Sequence, residues 1–178
     1  MQTLYLAAGC FWGAQHFLRQ LPGVISTRVG YANGRTENPT YEQVKYWNTG
    51  HAETVEVVYD ETLLPTPELL DCYFLCIDPT SVNKQGPDVG EQYRTGIYYV
   101  DDAMVPTIRA ELDKLEAKIG QKTAIELKPL EQFFPAEEYH QDYLIKNPTG
   151  YCHIPRDLIK KVRSKLEEGK KEQARENK

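Results

Sequence analysis

The sequence predicts an α+β fold: a two-layer, ferredoxin-like (split β-α-β) sandwich with a mixed sheet and added helices. Three observations carry this. The principal early segments run strand, helix, strand, strand, helix, strand, by their switches between period-two and helical spacing of apolar residues. Breaks such as Pro22-Gly23, Asn33-Gly34 and Asn48-Thr49-Gly50 separate them. The length of 178 residues, with 40% hydrophobic and 26% charged residues, suits one domain able to bury a core. No internal repeat or inter-domain linker is visible.

In order, residues 3–8 alternate as a strand. A helix over 11–21 follows, with Ala14, Phe17, Leu18 and Leu21 at three- and four-residue spacings, and Pro22-Gly23 ends it. Residues 24–31 form a second strand. Asn38-Pro39-Thr40 starts a short helix near 41–46. Residues 53–60 alternate Val55, Val57 and Tyr59 against Thr54, Glu56 and Val58, a strand. Thr66-Pro67-Glu68 supplies a capping threonine, a first-turn proline and an acid for a helix to about residue 77. Residues 78–92 form a polar loop, long enough to be functional. A strand over 93–100, a helix capped by Asp101 and Asp102 and ended by Gly120, a strand over 124–130 and a helix over 136–146 follow. Residues 1-155 read as the catalytic domain. Residues 156-178 read as a charged helical tail, with Leu158, Ile159, Val162 and Leu166 on one face and a frayed or disordered end after Gly169.

The net charge of -5 and pI near 5.4 disfavour nucleic acid as a partner. No apolar run is long enough to span a membrane, and Met1-Gln2-Thr3-Leu4 does not read as an export signal. Four cysteines are too few for a disulfide scaffold. The expectation is a cytoplasmic monomer with reduced thiols.

The chemistry centres on Gly9-Cys10-Phe11-Trp12-Gly13. Cys10 falls where a strand becomes the first turn of a helix, and unpaired N–H groups and the helix dipole there stabilise a thiolate nucleophile. A redox partner has to come from Cys72, Cys76 or Cys152. Cys72 and Cys76 share one face of an apolar helix and read as core, whereas Cys152 lies on a loop. Glu53 shares strand parity with Val55 and Val57, so its carboxyl is expected to be buried, raised in pKa and able to act as an acid. Asp88, Tyr93 and Tyr41 are candidate pocket residues. Metal binding is disfavoured, because Glu137-x-x-His140 occurs once and Cys72-x-x-x-Cys76 with Cys152-His153 has irregular zinc spacing. A cysteine hydrolase pairing Cys10 with His51 or His140 is the alternative enzyme, and a non-catalytic thiol sensor a third reading.

The motifs also occur in a familiar order. Gly9-Cys10-Phe11-Trp12-Gly13, Val29-Gly30-Tyr31, Pro39-Thr40-Tyr41, Gly50-His51-Ala52-Glu53, Val58-Tyr59-Asp60, Asp78-Pro79, Gln92-Tyr93-Arg94, Ala136-Glu137-x-Tyr139-His140-Gln141 and Gly150-Tyr151-Cys152 together resemble peptide methionine sulfoxide reductase of the A class, over residues 3–153. The resemblance implies thioredoxin-dependent reduction of the S epimer of methionine sulfoxide, free or in oxidised proteins, without metal or organic cofactor. It implies Cys10 as nucleophile, Glu53 as acid and Cys152 as resolving thiol. Tyr41 and Tyr93 would bond the sulfoxide oxygen, Asp88 would share that polar pocket, and Phe11 and Trp12 would hold the methyl group. Two features depart from the pattern. No cysteine follows Cys152, so a Cys10–Cys152 disulfide would be reduced directly. His153-Ile154-Pro155 and a charged tail replace a glycine-rich end; the tail resembles nothing diagnostic and reads either as a linker stub from a fusion with a B-class reductase domain or as a local variation.

Overall fold

The computed structural model describes all 178 residues. In chain order, β1 (Gln2–Ala8) leads through α1 (Phe11–Leu18), β2 (Val24–Ala32) and α2 (Tyr41–Tyr46) to β3 (Ala52–Tyr59) and α3 (Thr66–Leu75). A hairpin of β4 (Lys84–Gln85) and β5 (Asp88–Val89) precedes β6 (Thr95–Tyr99), α4 (Val105–Ile119), β7 (Glu126–Pro129) and β8 (Phe133–Pro135). The chain closes with α5 (Tyr143–Lys146) and α6 (Arg156–Glu176). The fold is α+β around a six-stranded mixed sheet in the order β7-β6-β1-β3-β2-β8. Strand β3 lies between β1 and β2, antiparallel to both, and β6 runs antiparallel to β1; only the β6–β7 pair is parallel.

Strand parity divides the sheet into two unequal faces. Leu4, Leu6 and Ala8, Val29 and Tyr31, and Val55, Val57 and Tyr59 point toward the helices and join Phe17 and Leu18 of α1, Leu69 and Leu70 of α3 and Ile108 of α4 in the main core. Burying each of the large apolar side chains stabilises the fold by about 1.5–3 kcal/mol. The opposite face holds a small cluster of Ala7, Ala32, Ala52 and Tyr98 under Tyr5, Leu130 and Phe133. Tyr73 links α3 to the sheet: its hydroxyl donates to Ala7 O at 2.6 Å, and Gly96 N–H donates to it at 3.2 Å.

Several elements differ from the sequence expectation. The helix expected over 136–146 is a 3-10 turn, Glu138–His140, followed by the single turn of α5. Asp142 between them has φ +52°, and the Gln141 amide is occupied by both backbone groups of Val29. The side chain of Gln141 thus takes hydrogen bonds that a continuous helix would leave unused. α3 begins at Thr66, whose hydroxyl bonds Tyr59 at 2.6 Å instead of capping. Strand β8 was not anticipated. The final helix continues through Gly169 to Glu176, anchored on the core by Ile159 and Val162 and carrying the pairs Asp157–Lys161 and Arg163–Glu167.

Candidate active site

The site forms where β1 ends. Gly9 has φ +80°, a left-handed conformation that turns the chain from strand to helix, and a β-carbon there would stand 2.8 Å from Gln85 Cβ. Cys10 then occupies the capping position of α1, with its carbonyl accepting from Ala14 N–H at 3.3 Å. The thiol is buried, and the N–H groups of Trp12 and Gly13 point at it. Cys10 therefore sits at the helix N-terminus that the sequence predicted. Its ionisation does not follow that prediction. Burial is the largest influence and the Glu53 carboxyl adds to it, so the thiol is raised far above its ordinary pKa despite the two N–H groups. The resting group is a neutral thiol.

Glu53 supplies the other half of this arrangement. It lies on β3 opposite Tyr31 of β2, is 1% exposed, and accepts the N–H of Phe11 at 3.2 Å. Burial raises its pKa to about 8, partly offset by the Phe11 hydrogen bond. At neutral pH the carboxyl holds its proton beside a protonated thiol. The hydroxyls of Tyr41 and Tyr93 are also raised, first by burial and then by Glu53, and Asp88 is within electrostatic reach of Cys10, Glu53 and both tyrosines. Cys10, Glu53, Tyr41, Asp88 and Tyr93, which come from four separate stretches of the sequence, thus share one polar corner.

An aromatic wall borders it. Phe11 and Trp12 each lie 6.4 Å from Tyr41 by ring centroids, and Trp12 stacks on Tyr143 at 3.8 Å. The sequence reading did not assign to Glu137 and His140 the role of fixing this wall. Glu137 accepts Tyr31 Oη at 2.8 Å and Tyr41 N–H at 3.1 Å, so it ties β2 to α2. Trp12 Nε1 donates to His140 Nδ1 at 2.9 Å, and His140 is fully buried among Phe11, Trp12, Tyr41 and Tyr139. The sequence reading weighed Glu137-x-x-His140 as a metal half-motif, and His140 as a hydrolase base; in the structure the pair orients aromatic rings.

The C-terminal segment closes the site. Tyr151 Oη donates to Asp88 Oδ2 at 2.9 Å. Cys152 is a half-buried free thiol whose Sγ–H donates to Ile154 O at 3.3 Å, and His153 Nε2 donates to Ala8 O at 2.9 Å. Cys152 Sγ lies against the first turn of α1, where a β-carbon on Gly13 would stand 3.0 Å from it. Cys72 and Cys76 are buried, the latter bonded to Tyr73 O, as core residues would be. No group of three or more His, Cys, Asp or Glu side chains has a metal-binding arrangement. Of the two histidines a hydrolase would use, His51 Nε2 donates to Thr36 O at 2.8 Å and His140 Nδ1 accepts from Trp12 Nε1–H, and neither is hydrogen-bonded to Cys10. A hollow of about 380 Å³ between α3 and α6, lined by Leu63, Leu75, Val162 and Leu166, includes no member of this cluster.

A family model for peptide methionine sulfoxide reductase matches residues 2–173. The chain belongs to the peptide methionine sulfoxide reductases, A class. It is 59% identical over 153 residues to a peptide methionine sulfoxide reductase MsrA of Lachnoclostridium phytofermentans, covering 86% of this chain and 92% of that protein. A Clostridium acetobutylicum MsrA is 50% identical over 161 residues, covering 90% of this chain and 99% of that protein. Among solved structures, reduced Mxr1 from Saccharomyces cerevisiae superposes with a TM-score of 0.80 at 38% identity, covering 85% of this chain and 88% of that one. Methionine sulfoxide reductase A of Corynebacterium diphtheriae gives 0.78 at 37%, covering 87% and 83%. No helix is long and apolar enough to cross a membrane.

Proposed function

We propose that the chain reduces the S epimer of methionine sulfoxide, free or in oxidised proteins, with Cys10 as nucleophile, Glu53 as acid and Cys152 as resolving thiol. The observation that carries this reading is the fully buried Glu53, its pKa raised by that burial, held beside the Cys10 turn through Phe11 N–H. A sulfoxide oxygen leaves sulfur readily only when protonated, and this acid keeps its proton at neutral pH. The methyl group packs on Phe11 and Trp12, and the oxygen faces Glu53, Tyr41 and Tyr93, with Asp88 in the same polar corner. Glu53 protonates the oxygen, and its carboxylate relieves the Cys10 thiol of its proton as sulfur attacks sulfur. The oxygen, with its proton, then passes from the methionine sulfur to Cys10 as a sulfenic acid while the transient S–S bond breaks, and the methionine sulfur keeps the electron pair of that bond. The Cys152 thiol then displaces that oxygen as water, forming a Cys10–Cys152 disulfide, which a dithiol reduces by exchange.

The dithiol is thioredoxin in this reading. A structure of Mxr1 from Saccharomyces cerevisiae in complex with Trx2 superposes on this chain with a TM-score of 0.57 at 28% identity. No further cofactor enters the cycle, and the enzyme works as a cytoplasmic monomer. The β6-β1-β3-β2 order with α1 and α3 on one face supports a ferredoxin-like core. Residues 1–155 form the catalytic unit and α6 is an appended helix.

Methionine release from each sulfoxide epimer with dithiothreitol tests the reading. Release from the S epimer alone is expected. Release from the R epimer at equal rate, or from neither, overturns it.

A further inference from the structure

His153 immediately follows Cys152 and takes no part in sulfoxide reduction as derived above. Its ring is pinned from one side only. Nε2 carries the proton, because its partner, Ala8 O, can only accept. Nδ1 is therefore an unprotonated lone pair, and it is buried with no hydrogen-bond partner. An orphaned buried acceptor calls for a reason. The neighbourhood supplies one: Nδ1 and Cys152 Sγ each lie 3.0 Å from the point where a β-carbon of Gly13 would stand, so the imidazole and the thiol share one small space over α1.

We propose that His153 Nδ1 is the base that takes the proton of the Cys152 thiol when Cys152 attacks the Cys10 sulfenic acid. This rests on the assignment of Cys152 as resolving thiol. Rotation of Cys152 away from Ile154 O turns Sγ–H toward Nδ1. The thiol proton moves to Nδ1, and the Sγ electron pair forms the bond to Cys10 Sγ. The Cys10 S–O bond breaks, and the departing hydroxide takes the proton from the imidazolium as water. The sulfenic sulfur is reduced and the thiol oxidised, so no external reagent is needed. Asp88 is the charge facing the ring and steadies the transient imidazolium. Tyr151, which donates to Asp88 and is within electrostatic reach of Cys10 and Cys152, completes the titratable groups of this corner. Burial is the largest influence on His153 and lowers its pKa below the ordinary 6.5, which keeps the base unprotonated at neutral pH.

The test separates the two halves of the cycle. Wild type, His153→Gln and Cys152→Ser are each mixed with one equivalent of methionine-S-sulfoxide without reductant and quenched over time. Released methionine, dimedone-trapped Cys10 sulfenic acid and disulfide are counted. Glutamine keeps an N–H for Ala8 O and lacks the base. His153→Gln is expected to release its methionine, accumulate sulfenic acid, and form disulfide about 10²-fold more slowly near pH 7. The deficit should close at high pH, where thiolate forms without a base. Wild-type disulfide formation should hold its rate from there down to pH 6.5. An unchanged His153→Gln rate, a deficit equal at every pH, or a wild-type rate falling tenfold per pH unit as pH drops toward about 6.5 overturns the proposal; the wild-type profile decides it even if the variant does not fold. Failure of the Cys152 assignment itself would look different: Cys152→Ser would lose no sulfenic acid to trapping because it would form a disulfide elsewhere.

Discussion

Replacing Glu53 by glutamine removes one proton site and almost no volume. In the unfolded chain this carboxyl ionises near 4.5, and in the folded protein near 8. Each pH unit between the two is worth about 1.4 kcal/mol. The sign follows from which state binds the proton more tightly. The folded state does, so stability from this group is fully present below pH 4.5 and is lost as pH rises through about 8. At pH 7 the loss amounts to about 3 kcal/mol. Glutamine still offers an oxygen to Phe11 N–H, and the solvation of its amide does not change with pH. The stability of Glu53→Gln relative to wild type should therefore rise by about 3 kcal/mol between pH 4.5 and 7, about 6–12 °C in Tm for a chain of this size. It should then level off above pH 8. Urea unfolding of the reduced proteins at pH 4.5, 7 and 9 reads this directly. Sulfoxide reduction should move the opposite way, falling about 10²–10⁴-fold at pH 7, with the wild-type rate itself declining as pH rises through about 8. Stability curves that stay parallel across this range would refute the buried-acid reasoning.

Gly13→Ala adds a β-carbon 3.0 Å from both Cys152 Sγ and His153 Nδ1. It should preserve fold stability, since alanine favours the helix by about 1 kcal/mol, but displace the C-terminal segment and slow disulfide formation in a quenched single turnover. Tyr73→Phe removes a buried hydroxyl that bonds Ala7 O and Gly96 N. It should lower unfolding free energy by about 1–3 kcal/mol in urea titration, without altering the pH profile of methionine release.

The backbone logic of the site was legible in the sequence because it depends on local pattern. Period two placed Glu53 on the face of Val55 and Val57, and the switch from strand alternation to helical spacing placed Cys10 at the start of α1. The ionisation of Cys10 was not legible. A helix N-terminus favours a thiolate, but the larger effects here are burial and a carboxyl 43 positions away, which only the tertiary fold assembles. The segment around Glu137 and His140 misled for a related reason. Its helical spacing is real, but Gln141 bonds Val29, Glu137 bonds Tyr31 and Tyr41, and His140 bonds Trp12. Long-range partners outcompete the local helix. Gly169 misled in the opposite direction, since flanking residues of high helix propensity carry α6 past it.

The central claim is that Cys10 takes the sulfoxide oxygen and Cys152 alone clears it. Mass measurement of reduced Cys152→Ser after excess methionine-S-sulfoxide, with thioredoxin and its reductant present and dimedone added at quench, tests it most directly. The account predicts about one methionine per protein and one dimedone adduct on the peptide carrying Cys10. Repeated thioredoxin-driven turnover, or an adduct on Cys72 or Cys76, would contradict it.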